Sequence, residues 1–164
     1  MGPEGDCGWV VRRATVDDAA ELARLHVDVW EDAYRGLMPD GVFAERRANL
    51  SARVDRWRIN LATSLAITTV VQSPTGLIGF ASVGPGRDHD VAIPTEVWAL
   101  YTRWQWWGRG VGQALFEAAL GDRSAYLWVL HGNARAIAFY RREGFISDGT
   151  LRHDEYGTEL RMRR

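Results

Sequence analysis

The sequence contains no lysine, so all 20 of its basic Lys and Arg side chains are arginines. A nucleotide-binding P-loop needs a lysine after its last glycine, so this absence disfavours nucleoside triphosphate hydrolysis. The single cysteine, Cys7, allows no internal disulfide and no C-x-x-C pair. The four histidines, at positions 26, 89, 131 and 153, are not spaced as metal ligands. We therefore expect no metal.

Long apolar runs and an excess of one charge are also missing. No run approaches the roughly 20 apolar residues of a membrane span, and 21 acidic residues nearly balance the 20 arginines. We therefore expect neither nucleic acid nor membrane as a partner. Residues 1–8 lack the basic and then apolar pattern of a secretion signal. These features predict a cytoplasmic protein with a flexible tail over residues 1–8 and one domain over residues 9–164.

One stretch organises the rest of the chain. An apolar run over residues 97–101 is followed by a glycine-rich segment over 107–112 and an apolar, alanine-rich segment over 113–120. This order is typical of strand, loop and helix. Glycines in the loop let backbone N–H groups approach a ligand, and the helix N-terminus adds positive potential. The stretch predicts a bound phosphate, although a tight strand-to-helix turn without a ligand is an alternative.

The spacing of these glycines selects between phosphate-binding motifs. A Rossmann fingerprint needs a third glycine where the chain has Gln113 or Leu115, so the dinucleotide alternative fails. The spacing Trp107-x-x-Gly110-x-Gly112 instead resembles the Q/R-x-x-G-x-G/A motif of the GNAT superfamily of N-acetyltransferases, whose loop holds the pyrophosphate of acetyl-coenzyme A.

Two further segments resemble the same family. The run Asn133-x-x-Ala136-x-x-Phe139-Tyr140 is similar to the family's next helix, and residues 30–39 are similar to its N-terminal helix end and loop. The resemblance therefore covers nearly the whole chain.

The resemblance implies an α/β single-domain acyl-CoA N-acyltransferase fold. Its sheet would be mixed and mostly antiparallel, with a central splayed parallel pair and flanking helices. Periodicity and turn residues predict the same elements. The expected strands lie at 9–13, 64–71, 77–83, 95–101, 125–130, 145–146 and 156–162, and the expected helices at 15–36, 42–61 with a break near 51, 109–120 and 133–144.

The resemblance also implies where acetyl-coenzyme A binds. Backbone donors of the glycine loop would hold its pyrophosphate, and a backbone N–H near Leu100 or Tyr101, where the family's strand bulges, would meet the oxyanion. The predicted coenzyme-binding residues are Leu100, Tyr101, Thr102, Trp107, Gly108, Arg109, Gly110, Val111, Gly112, Gln113, Asn133 and Tyr140.

Two residues are candidates for catalysis. Tyr140 lies two helical turns after Asn133, and the family's matching tyrosine lies near the thioester sulfur, where it would protonate the leaving thiolate. Glu96 begins the organising strand at a position where many relatives carry an acid that takes the amine proton. A core tyrosine, a plain helix cap at Asn133 and a solvated charge at Glu96 are the structural alternatives.

Trp30 and Tyr34 are the candidates for binding the acceptor. They stand four residues apart and share one helix face, in a segment that lines the acceptor pocket in one branch of the family. With Glu96 and Asp32 they would favour a cationic or partly apolar amine. Ordinary aromatic packing is the alternative.

The sequence departs from the family pattern around the loop. Relatives often have Val-x-Pro where this chain has Thr102, Arg103 and Trp104, and Trp107 stands at the motif's Gln or Arg position. Together with Trp106 these tryptophans could cover the coenzyme, pack on the sheet or form a dimer patch.

The leading prediction is an acetyl-CoA-dependent N-acetyltransferase. It would act on a primary amine of a small molecule by direct transfer in a ternary complex, as a monomer or a homodimer. No covalent intermediate is expected, because Cys7 is remote in the chain. A protein or peptide N-acetyltransferase, a non-catalytic acyl-CoA sensor and a phosphate-binding module of another type are the alternatives.

Overall fold

The computed structural model describes residues 8–164. Cys7 and all but the last residue of the tail predicted over 1–8 lie outside the described residues. In the described part, helices are too short or too polar to span a bilayer, and no cluster of three or more His, Cys, Asp or Glu side chains is arranged to hold a metal ion.

The described chain folds into seven strands and five α-helices, in an order that confirms the predicted α/β fold. The elements are β1 (Val10–Arg13), α1 (Ala19–Tyr34), α2 (Asp40–Ala48), α3 (Leu50–Thr63), β2 (Ile67–Ser73), β3 (Gly76–Pro85), β4 (Thr95–Thr102), α4 (Val111–Ala119), β5 (Tyr126–Leu130), α5 (Ala134–Arg142), β6 (Ile146–Asp154) and β7 (Gly157–Arg163).

The break predicted near residue 51 in the helical segment over 42–61 is found at Asn49, where φ −97° and ψ 26° end α2 and begin α3. Other boundaries differ from the prediction. Strand β2 begins at Ile67 rather than at residue 64, and α1 begins at Ala19, after a short 3₁₀ helix over Val16–Asp18. Strand β6 runs to Asp154, well beyond the two residues predicted, because it pairs with β7 while leaving most of its side chains exposed. An exposed edge strand needs no apolar alternation, so the sequence carries little signal for it.

The strands form one sheet in the order β1-β2-β3-β4-β5-β7-β6. Every neighbouring pair is antiparallel except β4 and β5, which run parallel. Alternate side chains point to opposite faces. Val70 and Phe80 pack with α1 and α3, whereas Val71 and Ala81 pack with α4. The sheet therefore lies between two helical layers.

The parallel strands β4 and β5 separate after two residue pairs. Only Glu96 with Tyr126 and Val97 with Leu127 are paired, and the strands diverge beyond them. The next residue, Trp98, is a bulge, because Val83 pairs with Val97 while Ser82 pairs with Ala99. A bulge adds a residue to one strand and bends it. The splay begins where β4 bends.

The bulge lies at Trp98, which corrects the position near Leu100 or Tyr101 that the resemblance implied. Trp98 donates its indole N–H to the Pro85 carbonyl oxygen over 3.1 Å. A Cβ atom at Gly84 would lie 3.2 Å from this ring. The missing side chain at Gly84 thus leaves room for the indole beside β3, which holds the bulge at this residue.

Candidate active site

A cavity occupies the gap between β4 and β5 and is lined by residues from both faces of the sheet. Leu100, Tyr101 and Thr102 line it from β4, Asn133 lies just before α5, and Tyr140 comes from α5. Tyr34 reaches it from α1, on the opposite face. The tertiary structure therefore brings together residues that are distant in the sequence.

Tyr140 lines this cavity with a buried side chain. Its side chain is 8% exposed and packs against Phe139 and Phe145. Among residues 8–164 its hydroxyl has no hydrogen-bond partner, although the residue lines the cavity. Burial, followed by the nearby Tyr34, raises the pKa of Tyr140 well above its ordinary value. The phenol therefore keeps its proton at any working pH.

Tyr101 and Tyr34 form a hydrogen-bonded pair of phenols at the other side of the cavity. Their hydroxyl oxygens are 3.0 Å apart, and burial raises the pKa of both groups. The Tyr101 side chain packs with the α1 layer, whereas that of Leu100 packs with the α4 layer. Tyr101 therefore faces the α1 side of the sheet rather than the α4 side.

Trp30 lies behind Tyr34 rather than in the cavity. It is 7% exposed, and its ring centroid is 4.9 Å from that of Tyr34 and 5.8 Å from that of Phe43. Of the three predicted acceptor residues, Trp30, Tyr34 and Glu96, only Tyr34 lines the cavity, and Trp30 packs against it.

The glycine loop lines a second cavity, which adjoins the first. Trp107, Gly108, Gly110, Gly112 and Gln113 contribute to its wall, and Thr102, Gly112, Arg135 and Phe139 line both cavities. One slot therefore runs from the loop to Tyr140.

Helix α4 points unpaired donors into this region. The first N–H bonded within the helix is that of Ala114, which donates to the Gly110 carbonyl oxygen over 3.0 Å. The N–H groups of Val111, Gly112 and Gln113 precede it and are left for an anion. The Val111 side chain is fully buried in the core, so only its backbone faces the slot.

Two other predicted coenzyme residues have side chains engaged elsewhere. The exposed Arg109 guanidinium lies over the Trp106 ring, 5.7 Å from its centroid. The side-chain oxygen of Asn133 accepts the Ala136 N–H over 3.1 Å and caps α5. Asn133 lines the cavity beside this cap.

Glu96 lies at the closed end of the splay and does not line the slot. It is 1% exposed. Its Oε1 accepts from Arg87 Nη2 over 2.6 Å, and its Oε2 accepts from Arg87 Nε over 3.0 Å and from the Tyr126 hydroxyl over 3.1 Å. Both oxygens are occupied, so this geometry favours an anchoring role, and the role as base stays a prediction.

Asp32 also lies outside the slot. Its Oδ2 accepts the Trp104 backbone N–H over 3.4 Å, and it lines a separate surface depression with Arg35, Trp104 and Trp107. The carboxylates expected around the acceptor are therefore elsewhere.

Comparison with known proteins identifies the family of this chain. A family model described as an acetyltransferase (GNAT) domain matches residues 65–147, which span β2 to α5 and contain the loop and the splay. The N-acetyltransferase YuaI of Bacillus subtilis (strain 168), which is described as uncharacterized, is 30% identical over 138 residues, covering 80% of this chain and 76% of YuaI. The chain belongs to the GNAT acetyltransferase family. As a GNAT protein it is an acetyl-CoA-dependent acyltransferase.

Solved GNAT structures share the fold at low sequence identity. The PaiA N-acetyltransferase of Thermoplasma acidophilum, solved in complex with coenzyme A, is 17% identical with a TM-score of 0.69, covering 93% of this chain and 97% of that one. PH1933 of Pyrococcus horikoshii OT3 is 20% identical with a TM-score of 0.71, covering 95% and 97%. These likenesses support the fold alone.

The GNAT slot contains two arginines that the sequence reasoning missed. Arg135 lines both cavities, and its guanidinium carbon lies 3.4 Å from the centroid of the Trp107 ring. Arg142 lines the second cavity. These residues share a helix face with Phe139, because the three stand at positions i, i+4 and i+7. That spacing was the available signal.

Trp107, at the position where the GNAT motif has Gln or Arg, makes a hydrogen bond and a cation–π contact. Its indole N–H donates to the Thr102 carbonyl oxygen over 3.0 Å, and its face carries Arg135. Positive charge thus reaches the slot from α5 instead of from the loop. Trp106 packs on the core beside α4, and Trp104 is 57% exposed, so the three tryptophans have different surroundings.

Proposed function

We propose that this GNAT enzyme transfers the acetyl group of acetyl-CoA to a primary amine of a small molecule, directly and within a ternary complex. The observation that carries the proposal is the cavity through the sheet, which Tyr140 lines from one face and Tyr34 from the other. Two substrates can meet there without a covalent enzyme intermediate.

We propose that acetyl-CoA occupies the slot on the α4 and α5 side. The free N–H groups at the start of α4, with Arg135 and Arg142 nearby, suit its pyrophosphate. The coenzyme A bound to the PaiA protein of the same fold supports this choice of ligand.

In the proposed reaction the amine nitrogen attacks the thioester carbonyl carbon. The new C–N bond forms, the C–S bond breaks, and the amine gives up a proton to solvent water, which also restores the proton that Tyr140 donates. Tyr140 donates its proton to the leaving sulfur. Backbone N–H groups at the bulge, where Trp98 and Ala99 line the cavity, take the role of oxyanion donors that was first expected near Leu100 or Tyr101.

A small acceptor is favoured by the enclosure on the α1 side. The end of α1 supplies Tyr34, which lines the cavity, and behind it the Trp30 ring packs against Tyr156 of the β6–β7 turn, with ring centroids 5.5 Å apart. The net charge of −1 gives no strong long-range attraction for a charged protein partner.

The function is tested by measuring free-thiol release from acetyl-CoA across a panel of amino acids, polyamines, amino sugars, aminoglycosides and short peptides. Saturable release with a small amine would support the proposal. Release with peptides alone would favour the peptide alternative, and tight acetyl-CoA binding without release would favour the sensor.

The role of Tyr140 is tested by Tyr140→Phe. We expect kcat to fall by about 10²-fold, within the range for losing a general acid, with a nearly unchanged KM for acetyl-CoA. Stability should not fall, because the hydroxyl has no partner among the described residues.

Tyr126→Phe is the matched control. Its hydroxyl accepts the N–H groups of Arg87 and Asp88 over 2.7 and 2.8 Å, so its loss should lower the melting temperature with little effect on kcat. Full turnover in Tyr140→Phe would remove the proton-donor assignment.

A further inference from the structure

Behind the Tyr34 and Trp30 rings, on the α1 side of the cavity, lies a positive group for which the described chain supplies no counter-ion. The guanidinium carbon of Arg46, on α2, lies 3.8 Å from the centroid of the Trp30 ring. Its Nε is buried and has no hydrogen-bond partner, and among residues 8–164 no acidic side chain forms an ion pair with it. Stacking leaves the edge donors of the guanidinium free to bind.

A second arginine reinforces this charge. Arg53, on α3, donates its Nε to the Arg46 carbonyl oxygen over 3.2 Å, and its two terminal amino groups bond to no described residue. Both side chains are half-buried. Burial and then the charge of Arg53 lower the pKa of Arg46. An anion bound at these side chains would offset their charges.

A chain of aromatic contacts links this pair to the acceptor end of the cavity. Arg46 stacks on Trp30, the Trp30 ring centroid is 4.9 Å from that of Tyr34, and the Tyr34 and Tyr101 hydroxyl oxygens are 3.0 Å apart. Tyr34 and Tyr101 line the same cavity as Tyr140. An anion on the arginines is therefore close to the place where the amine must react.

Nearby acids do not neutralise the pair. Glu159 is bonded to Arg152 with a distance of 2.5 Å, and Glu45 is exposed and forms no ion pair with Arg46 or Arg53. His26 faces both arginines but is neutral, because burial and their charges lower its pKa to about 3.

We propose that the acceptor carries an oxyanion beside its primary amine, and that Arg46 and Arg53 bind this oxyanion. The proposal rests on the function proposed above. The group is a carboxylate or a phosphate on a small amine, since both present the oxygen pair that a guanidinium binds in bidentate fashion. The cationic acceptor expected from Glu96 and Asp32 is replaced, because Glu96 is bonded to Arg87 and Tyr126 and Asp32 lines a separate surface depression.

The test compares amines that differ only in the anion. Thiol release is measured with phenylalanine and phenethylamine, with 4-aminobutyrate and butylamine, and with glucosamine 6-phosphate and glucosamine. For at least one pair we expect kcat/KM to be about 10- to 100-fold higher for the anionic member, the range for charge-assisted hydrogen bonds. A preference within either of the first two pairs would indicate a carboxylate, and a preference within the third pair would indicate a phosphate.

Variants then locate the effect. Arg46→Gln and Arg53→Gln should each cut this preference at least tenfold through the acceptor KM, with the KM for acetyl-CoA unchanged. Arg47→Gln is the control: Arg47 neighbours Arg46 but pairs with Glu31 and Asp28, so the preference should persist. If Arg46→Gln unfolds the protein, Arg53→Gln still decides, because its guanidinium is not stacked in the core.

The outcomes separate the two proposals. Turnover that is equal or higher with the amines lacking an anion, or a preference that survives in both arginine variants, overturns this inference and leaves the proposed function standing. Absence of turnover with every amine, while acetyl-CoA still binds, overturns the proposed function and this inference with it.

Discussion

Arginine supplies all the Lys and Arg charge of this chain, and its planar group is used in ways that an ammonium could not match. Arg46 stacks on Trp30 and Arg135 stacks on Trp107, which holds each cation beside the cavity without a salt bridge. Arg161, 5% exposed, instead satisfies several carboxylates at once. A flat, delocalised cation can pack against aromatic rings and still donate from its edge.

A single residue, His26, makes the stability of the fold depend on pH. Its pKa is about 3 in the folded protein against 6.5 for a free histidine, chiefly because of burial. The depressed value means that this stabilising contribution is complete above pH 6.5 and is lost as the pH falls toward 3. The free energy of unfolding, measured with a chemical denaturant, should therefore fall by up to about 1.4 kcal/mol per pH unit as the pH is lowered from 6 to 4.

The control for His26 is a matched pair of variants. His26→Phe keeps a ring against Trp57 and Phe80 and should flatten the pH dependence of the unfolding free energy in this window. His89→Phe, at an exposed position, should leave it unchanged. An equal slope in wild type and His26→Phe would contradict the assignment.

At the scale of single elements, the N-terminus of α4 depends on two glycines for different reasons. Gly110 has φ +80°, in the left-handed region, and nothing lies within 4 Å of a Cβ built there. Gly112 is helical, and a Cβ there would make ordinary contact with Phe139 at 3.7 Å. A side chain at position 110 would therefore strain the backbone, whereas position 112 has room for a methyl group.

Alanine at each glycine separates these reasons. Gly110→Ala should cost roughly 1–2 kcal/mol of stability, the strain of a left-handed Ala, and raise the KM for acetyl-CoA as the loop donors move. Gly112→Ala should leave KM near the wild-type value and keep or raise the melting temperature, because Ala favours helix by up to about 1 kcal/mol. The reverse pattern, with only Gly112→Ala impairing acetyl-CoA binding, would refute this division.

At the scale of the whole molecule, the closed end of the splay is tied to the loop between β3 and β4. Glu96 bonds both the side chain and the backbone N–H of Arg87, the latter over 3.1 Å. On the same loop, Asp88 and Asp90 bind Arg161 of β7. The loop therefore connects strands on both sides of the parallel pair.

Glu96→Gln distinguishes an anchor from a base. If Glu96 is an anchor, Glu96→Gln should lower the free energy of unfolding by roughly 1–3 kcal/mol, because a buried partner of Arg87 loses its charge. The shape of the pH–rate profile should then be unchanged. Asp55→Asn, in an exposed pair with Arg58, should cost less than about 1 kcal/mol. Loss of the acidic limb of the profile without loss of stability would restore Glu96 as the base.

Much of the fold was predictable from the chain itself. Glycine spacing, apolar periodicity and turn residues are local signals, and they correctly placed the hairpin of β2 and β3, the strand–loop–helix from β4 to α4, and α5 after Asn133. Strand β6 and the position of the bulge were not predictable to the same degree. An exposed strand needs no apolar pattern, and a bulge depends on how one strand packs on the next.

The sequence by itself determined the type of site that we propose, because the phosphate binding proposed at α4 depends on backbone geometry that glycines encode locally. Only the tertiary structure decided which side chains surround the acceptor. It turned Glu96 toward Arg87, placed Trp30 behind Tyr34, and brought Arg46 of α2 onto the Trp30 ring with Arg53 of α3 beside it. Charges on different helices have no spacing rule in the chain, since their distance depends on how the helices pack.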